Sequence, residues 1–161
     1  MYRLLYGGII MSASLDIVNV KKMYPDATLP TRGSKMAAGY DLYAYIEEGN
    51  VLIPPHSTVL IGTGVAIQPP FGCFGAVFAR SGLATKQGLR PANCVGVCDE
   101  DYTGQYMVAL HNDTNEGKVV NHGERIAQVV FIPYTVTEYL NVVPELEATE
   151  RGDGGFGSTG V

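Results

Sequence analysis

Twenty glycines and nine prolines cut this 161-residue chain into short apolar or alternating runs, and that punctuation constrains its fold more than any other feature. The runs cover residues 16–21, 51–53, 58–67, 75–78, 95–98, 105–112, 125–132 and 140–143. Short runs separated by Gly, Pro and Asn read as the strands of an all-β sandwich or barrel, with the glycines and prolines placed where turns need them. Only residues 81–87 read as a helix, with Leu83, Ala84, Thr85 and Lys86 following Ser81 as the expected N-cap. No internal repeat and no second domain is visible, so residues 1–148 are expected to form one β domain. Residues 1–11 are open to being an extension outside its core, and residues 149–161 are expected to form a flexible C-terminal arm.

At 17.3 kDa the chain is long enough to bury roughly 70% of its unfolded surface in a single core. Stability therefore requires neither disulfide nor structural metal. Cys73, Cys94 and Cys98 are odd in number and form no CxxC pair, which fits free thiols in a reducing, cytoplasmic setting. The net charge of −5 argues against nucleic acid or an anionic membrane as partner, since both call for a basic stripe. It is compatible with one small anion held by a few donors and a divalent cation. The opening MYRLLYGGIIM (1–11) is apolar but too short to span a bilayer, and it lacks the longer apolar core of a signal peptide. Met11 could equally be the natural start. His56, His111 and His122 show no ligand spacing and read as surface or loop residues, which argues against a zinc hydrolase.

The last eleven residues hold five glycines, Arg151, Phe156, Ser158 and Thr159. Such a segment cannot bury enough apolar surface to fold alone. It does carry a guanidinium for phosphate, glycines that let backbone N–H groups approach an anion, and an aromatic ring to stack on a base. Two readings follow from composition: a lid that orders over a nucleotide, or a loose terminus.

Four further segments share this phosphate-and-base character. MAAGYDLYAYIE (36–47), ARSGLATKQGL (79–89), GVCDEDYTGQYMVALHN (96–112), GERIAQVVFIP (123–133) and RGDGGFGSTG (151–160) resemble, in order and spacing, the five motifs of the trimeric deoxyuridine triphosphatases (dUTPases). The resemblance runs from about Thr31 to the end. Departures are small: Cys98 stands where the family has an aliphatic residue, Ala79 precedes the Arg-Ser-Gly, and Asp153 brings a negative charge into the tail.

The resemblance implies a distorted jelly-roll subunit packed as a homotrimer, and it implies roles for individual residues. Asp99, in Asp99-Glu100-Asp101-Tyr102, becomes the base that activates a water; three successive carboxylates must otherwise face solvent or a cation, as in a hydrated turn. Tyr102 becomes the ring that excludes a 2′-hydroxyl; the alternative is a strand tyrosine with a wet tip. Asn93, Gly96, Val97 and Cys98 fall in the hairpin that receives uracil, where fixed backbone groups distinguish it from cytosine. Met107, on the return strand, touches the same base or sugar or is ordinary core. Arg80, Ser81 and Gly82 match the phosphate loop, where the start of a helix favours an anion.

Gln128 is implied to bond a phosphate oxygen or a metal-bound water, or else is a satisfied structural amide. Asp41 is implied to bond through water to a Mg2+ ion that the phosphates chelate, with pairing to a neighbouring cation equally open. Arg151, Phe156, Gly157 and Ser158 form the closing tail. The implied activity is hydrolysis of dUTP to dUMP and pyrophosphate, lowering dUTP and supplying dUMP for thymidylate synthesis. Two rivals differ in class: dCTP deaminase, which would release ammonia, and a non-catalytic nucleotide-dependent regulator on the same trimer.

Overall fold

A computed structural model describes residues 5–6, 9–10 and 17–155. Leu5–Tyr6 (β1) pairs antiparallel with Ile9–Ile10 (β2) as a two-stranded sheet. The body is built from Asn19–Lys22 (β3), Tyr40–Tyr43 (β4), Asn50–Ile53 (β5), Thr58–Gln68 (β6) and Cys73–Phe78 (β7). The helix Ser81–Gln87 (α1) follows, then Leu89–Pro91 (β8), Val95–Cys98 (β9), Gln105–Asn112 (β10), Lys118–Asn121 (β11) and Arg125–Pro133 (β12). Two four-stranded sheets, β3-β6-β10-β8 and β4-β12-β7-β9, face each other, and β11-β5 forms a small sheet beside them. All described pairings are antiparallel, as a jelly roll requires.

The sequence explains which faces meet. In β10 the alternation places Tyr106, Val108, Leu110 and Asn112 inward, each 2% exposed or less. Leu42, Val77, Ile126, Ala127 and Val129 line the opposing sheet, and Ile53, Val65, Ile67 and Leu89 complete the core. Asn112 is the exception that proves satisfiable: its Nδ2 donates to the carbonyls of Ile53, Pro54 and Glu116, and its Oδ1 accepts from the Thr114 amide and hydroxyl. A buried amide with such partners ties the end of β10 to the end of β5 and to the turn that leads into β11.

The structure corrects three local expectations. Residues 140–143 form no strand: Leu140 and Val142 are 87% and 93% exposed and no neighbouring strand pairs with them. Ser81 does not cap α1; the cap position is Arg80, with extended backbone at φ −84° and ψ 129° and no side-chain hydrogen bond to the helix. His111 is no loop residue, since it lies in β10, half-buried, with Nδ1 2.9 Å from the Thr58 hydroxyl. Strands β4, β8 and β11 were not expected, because each is four residues or fewer and carries polar or turn residues within it.

Candidate functional site

The sheet β4-β12-β7-β9 sets out the site. Its registers place Asp41, Gln128, Phe78 and Val95 in one row, one residue on each strand. Arg80 follows two residues after Phe78, so β7 delivers it and the start of α1 to the same end of the sheet as Asp41.

At that end Asp41 is clasped by two guanidiniums. Arg80 Nε donates to Oδ1 at 2.7 Å and Arg125 Nη1 donates to Oδ2 at 3.2 Å. The carboxylate is 14% exposed, whereas the Arg80 and Arg125 side chains are 26% and 50% exposed, so the cations face outward over a sheltered anion. Two positive charges on one negative leave a net positive cluster, held in place by charge-assisted bonds. Gln128 Nε2 donates to the Ala79 carbonyl at 2.9 Å, fixing the residue before Arg80. Its Oε1 packs on Gly39, where an added Cβ would sit 2.5 Å away, so a side chain there would displace the Gln128 amide. Ser81 and Gly82 are exposed beside this cluster, on the first turn of a helix whose amides no side chain caps. The structure thus brings Asp41, Arg80, Ser81, Gly82 and Gln128 together. It adds Arg125, which sequence reasoning passed over; the signal was a cation three residues before Gln128 in an apolar strand.

Asp99 lies elsewhere. It follows the last residue of β9 and starts a turn closed by the Tyr102 amide donating to the Asp99 carbonyl at 3.1 Å. Tyr102 is 42% exposed and its hydroxyl donates to the Gln105 carbonyl at 2.9 Å, which pins the ring across the turn. Glu100 is occupied structurally: its Oε2 accepts from the Gly72 amide at 3.0 Å and from the Tyr134 hydroxyl at 3.2 Å. Partial burial, and then that carboxylate, raise the Tyr134 phenol above its ordinary value. Asp99 and Asp101 remain exposed toward a wide concavity shared with Asn19, Phe71 and Tyr134.

Sheet geometry separates these two groups. From Asp41 to Val95 is three strand spacings, and from Val95 to Asp99 four residues along β9; at the usual spacings the two backbones lie about 20 Å apart. The Asp99 turn is thus well separated from the Asp41 cluster of its own chain.

Asn93 and Gly96 are adjacent, with Asn93 Nδ2 3.5 Å from where a Gly96 Cβ would stand, and Val97 is 64% exposed on the outer face. The expected hairpin is different from what forms: β9 pairs with β7, and β10 with β6 and β8, so the two flanks of the Asp99 turn sit in different sheets. Met107, 38% exposed, lines a separate groove with Tyr24, Tyr45 and Gly62. Arg151 is exposed and its Nε donates to the Gly154 carbonyl within its own turn at 2.9 Å. Phe156, Gly157 and Ser158 lie outside the described residues.

A jelly roll that presents two guanidiniums and an uncapped helix start at one sheet end is a β-sandwich protein with a cationic cluster at that end. Comparison with known proteins makes this specific. The dUTPase family model matches residues 25–160. A deoxyuridine 5′-triphosphate nucleotidohydrolase of Desulfitobacterium hafniense is 49% identical over 134 residues, covering 83% of this chain and 87% of the relative. That of Paramecium bursaria Chlorella virus 1 is 43% identical, covering 88% and 96%. Among solved structures, a mutant Staphylococcus bacteriophage 80alpha dUTPase with dUpNHpp superimposes with a TM-score of 0.79 at 31% identity, covering 90% of this chain and 99% of that one. The chain belongs to the dUTPase family, and it is an enzyme of that family.

Proposed function

We propose that this chain hydrolyses dUTP to dUMP and pyrophosphate, lowering dUTP and supplying dUMP for thymidylate synthesis, as a cytoplasmic homotrimer whose sites are shared between subunits. The observation that carries the reading is the Asp41, Arg80, Arg125 and Gln128 cluster, a cationic group in a chain whose relatives are named deoxyuridine 5′-triphosphate nucleotidohydrolases. Each site then combines the phosphate cluster of one subunit with the Asp99 turn of another. The apolar segment after β12 supports assembly: Tyr139, Leu140, Val142 and Leu146 are 79% to 93% exposed, and a second copy would cover them.

In this reaction Asp99 accepts a proton from a water as its oxygen bonds to the α-phosphorus. The bond from that phosphorus to the bridging oxygen breaks, and the leaving pyrophosphate carries the electron pair. Arg80, oriented by Asp41, meets the charge that builds on the leaving oxygens, and the Ser81 hydroxyl lies near the breaking bond. Tyr102 closes the sugar pocket against a 2′-hydroxyl. Asn93 and the backbone of Gly96, Val97 and Cys98 receive uracil, with Met107 reaching the same pocket through its backbone.

Magnesium is typical of the family, and a structural Mg(II) ion is described for the phage phi11 dUTPase of S. aureus. Both carboxylate oxygens of Asp41 are engaged by arginines, which fits a metal carried by the phosphates rather than gripped by the protein. Asp41 would hold it through a water, and when bound it neutralises phosphate charge. The tail adds Arg151 on the γ-phosphate, with Phe156, Gly157 and Ser158 over uracil and phosphate. With dUpNHpp and Mg2+ the C-terminus should become resistant to protease; unchanged cleavage would leave it a loose terminus.

Substrate competition tests the whole reading. Among dUTP, dCTP, dTTP and UTP, only dUTP should turn over efficiently, giving dUMP and pyrophosphate. Ammonia released from dCTP would establish deamination instead, and tight binding without turnover would establish a regulator.

A further inference from the structure

The turn at 99–104 crosses between two sheets, so no ladder of backbone hydrogen bonds joins its flanks. A buried side chain does. Tyr106 is 1% exposed in β10, and its ring centroid lies 6.2 Å from that of Tyr102, inclined by 38°. Its backbone is fixed, because the carbonyl accepts from the buried Thr63 hydroxyl at 2.8 Å. Its hydroxyl reaches the other sheet over Gly75, where an added Cβ would sit 2.6 Å away, and lies beside the thiol of Cys98, the residue that pairs with Gly75 across β7 and β9. We propose that Tyr106 is a positioning residue that sets the Asp99 turn, acting on Cys98 at one flank and on the Tyr102 ring at the other. The proposal rests on the reading that Asp99 and Tyr102 serve hydrolysis.

Stability does not explain this hydroxyl. Among the described residues the Tyr106 oxygen has no hydrogen bond of good geometry, and a thiol is a weak partner at best. Burying a hydroxyl so poorly satisfied is unfavourable, and phenylalanine would bury the same ring without that cost. What tyrosine adds is a contact across the sheets, one residue before Asp99. Burial holds both the Tyr106 phenol and the Cys98 thiol above their ordinary values, so the pair is neutral at physiological pH and acts by contact rather than charge. Cys98 and Tyr106 belong together in this account: the smaller, softer side chain leaves room for the hydroxyl that reaches it.

The test compares Tyr106→Phe, Cys98→Ala and the double variant with wild-type enzyme, using melting temperature, kcat, KM and the dUTP to UTP ratio of kcat/KM. Tyr106→Phe should melt at or above the wild-type temperature yet lose roughly three- to tenfold in kcat with little change in KM, as expected when a reacting group is displaced slightly. Cys98→Ala should lose kcat similarly, and the double variant no more than either alone, because the two residues act through one contact. Tyr106→Leu, which also removes the platform under Tyr102, should lower the dUTP to UTP ratio. Wild-type kcat and ratio in Tyr106→Phe would overturn the proposal, as would additive losses or a kcat loss that merely follows a lower melting temperature. Asp99→Asn in the same assay separates the two levels: if it keeps its turnover, the underlying reading fails and this one with it. If it is inactive while Tyr106→Phe is unaffected, only the role of Tyr106 falls.

Discussion

Asp99→Asn is expected to slow dUTP hydrolysis by roughly two to four orders of magnitude, the usual worth of a positioned general base. Its fold and nucleotide binding should be retained. The substitution keeps the shape of the side chain and removes only its capacity to take a proton. Asp99 is exposed at the start of its turn and takes part through its backbone carbonyl, which the variant preserves. Steady-state kinetics and dUTP binding, measured on protein whose melting temperature matches wild type, separate the two effects. Turnover near the wild-type rate would remove Asp99 from the reaction and leave its turn as a hydrated link between sheets. Glu100 is no substitute base, since its carboxylate is already committed to the Gly72 amide and the Tyr134 hydroxyl.

The periodic parts of the fold were legible in the sequence because their pattern is local. The runs at 58–67, 105–112 and 125–132 became β6, β10 and β12 with boundaries shifted by at most one residue. The segment at 140–143 misled because Leu-Asn-Val-Val has strand propensity, while a strand also needs a neighbour to bond. Strand β4 was missed for the opposite reason. Tyr-Asp-Leu-Tyr buries only Leu42 fully, and it is a strand because β12 pairs with it from over 80 residues away in sequence. The site divided in the same manner. Asp41, Arg80 and Gln128 could be named from their motifs, whereas their meeting at one sheet end depends on the β4-β12-β7 order, which no local pattern encodes. Arg125 was hidden for that reason too: its value lies in Asp41, across a strand pairing. Tyr106 is one aromatic in an alternating strand, and only the sheet crossing makes its position distinctive.

Mixing two inactive variants should restore activity. Arg80→Ala removes a guanidinium from the phosphate cluster and Asp99→Asn removes the base, and the two positions lie about 20 Å apart when measured along and across the sheet of one chain. If each site takes Arg80 from one subunit and Asp99 from its neighbour, a trimer holding both variants can assemble a site in which both wild-type residues are present. When equal amounts are unfolded and reassembled together, each site receives both intact halves with about one chance in four, given random assortment around a closed ring. Activity should therefore rise from near zero to about a quarter of wild type, whereas the variants mixed without exchange should stay inactive. Loss of the Asp41–Arg80 ion pair leaves Arg125 to hold Asp41, so Arg80→Ala should still fold and assemble. A mixture that remains inactive after verified subunit exchange would mean that one chain supplies both groups. That outcome would require the Asp99 turn, on the strand next to β7, to move roughly 20 Å along its sheet toward Arg80, breaking the β7–β9 ladder, and the shared-site assignment would be withdrawn.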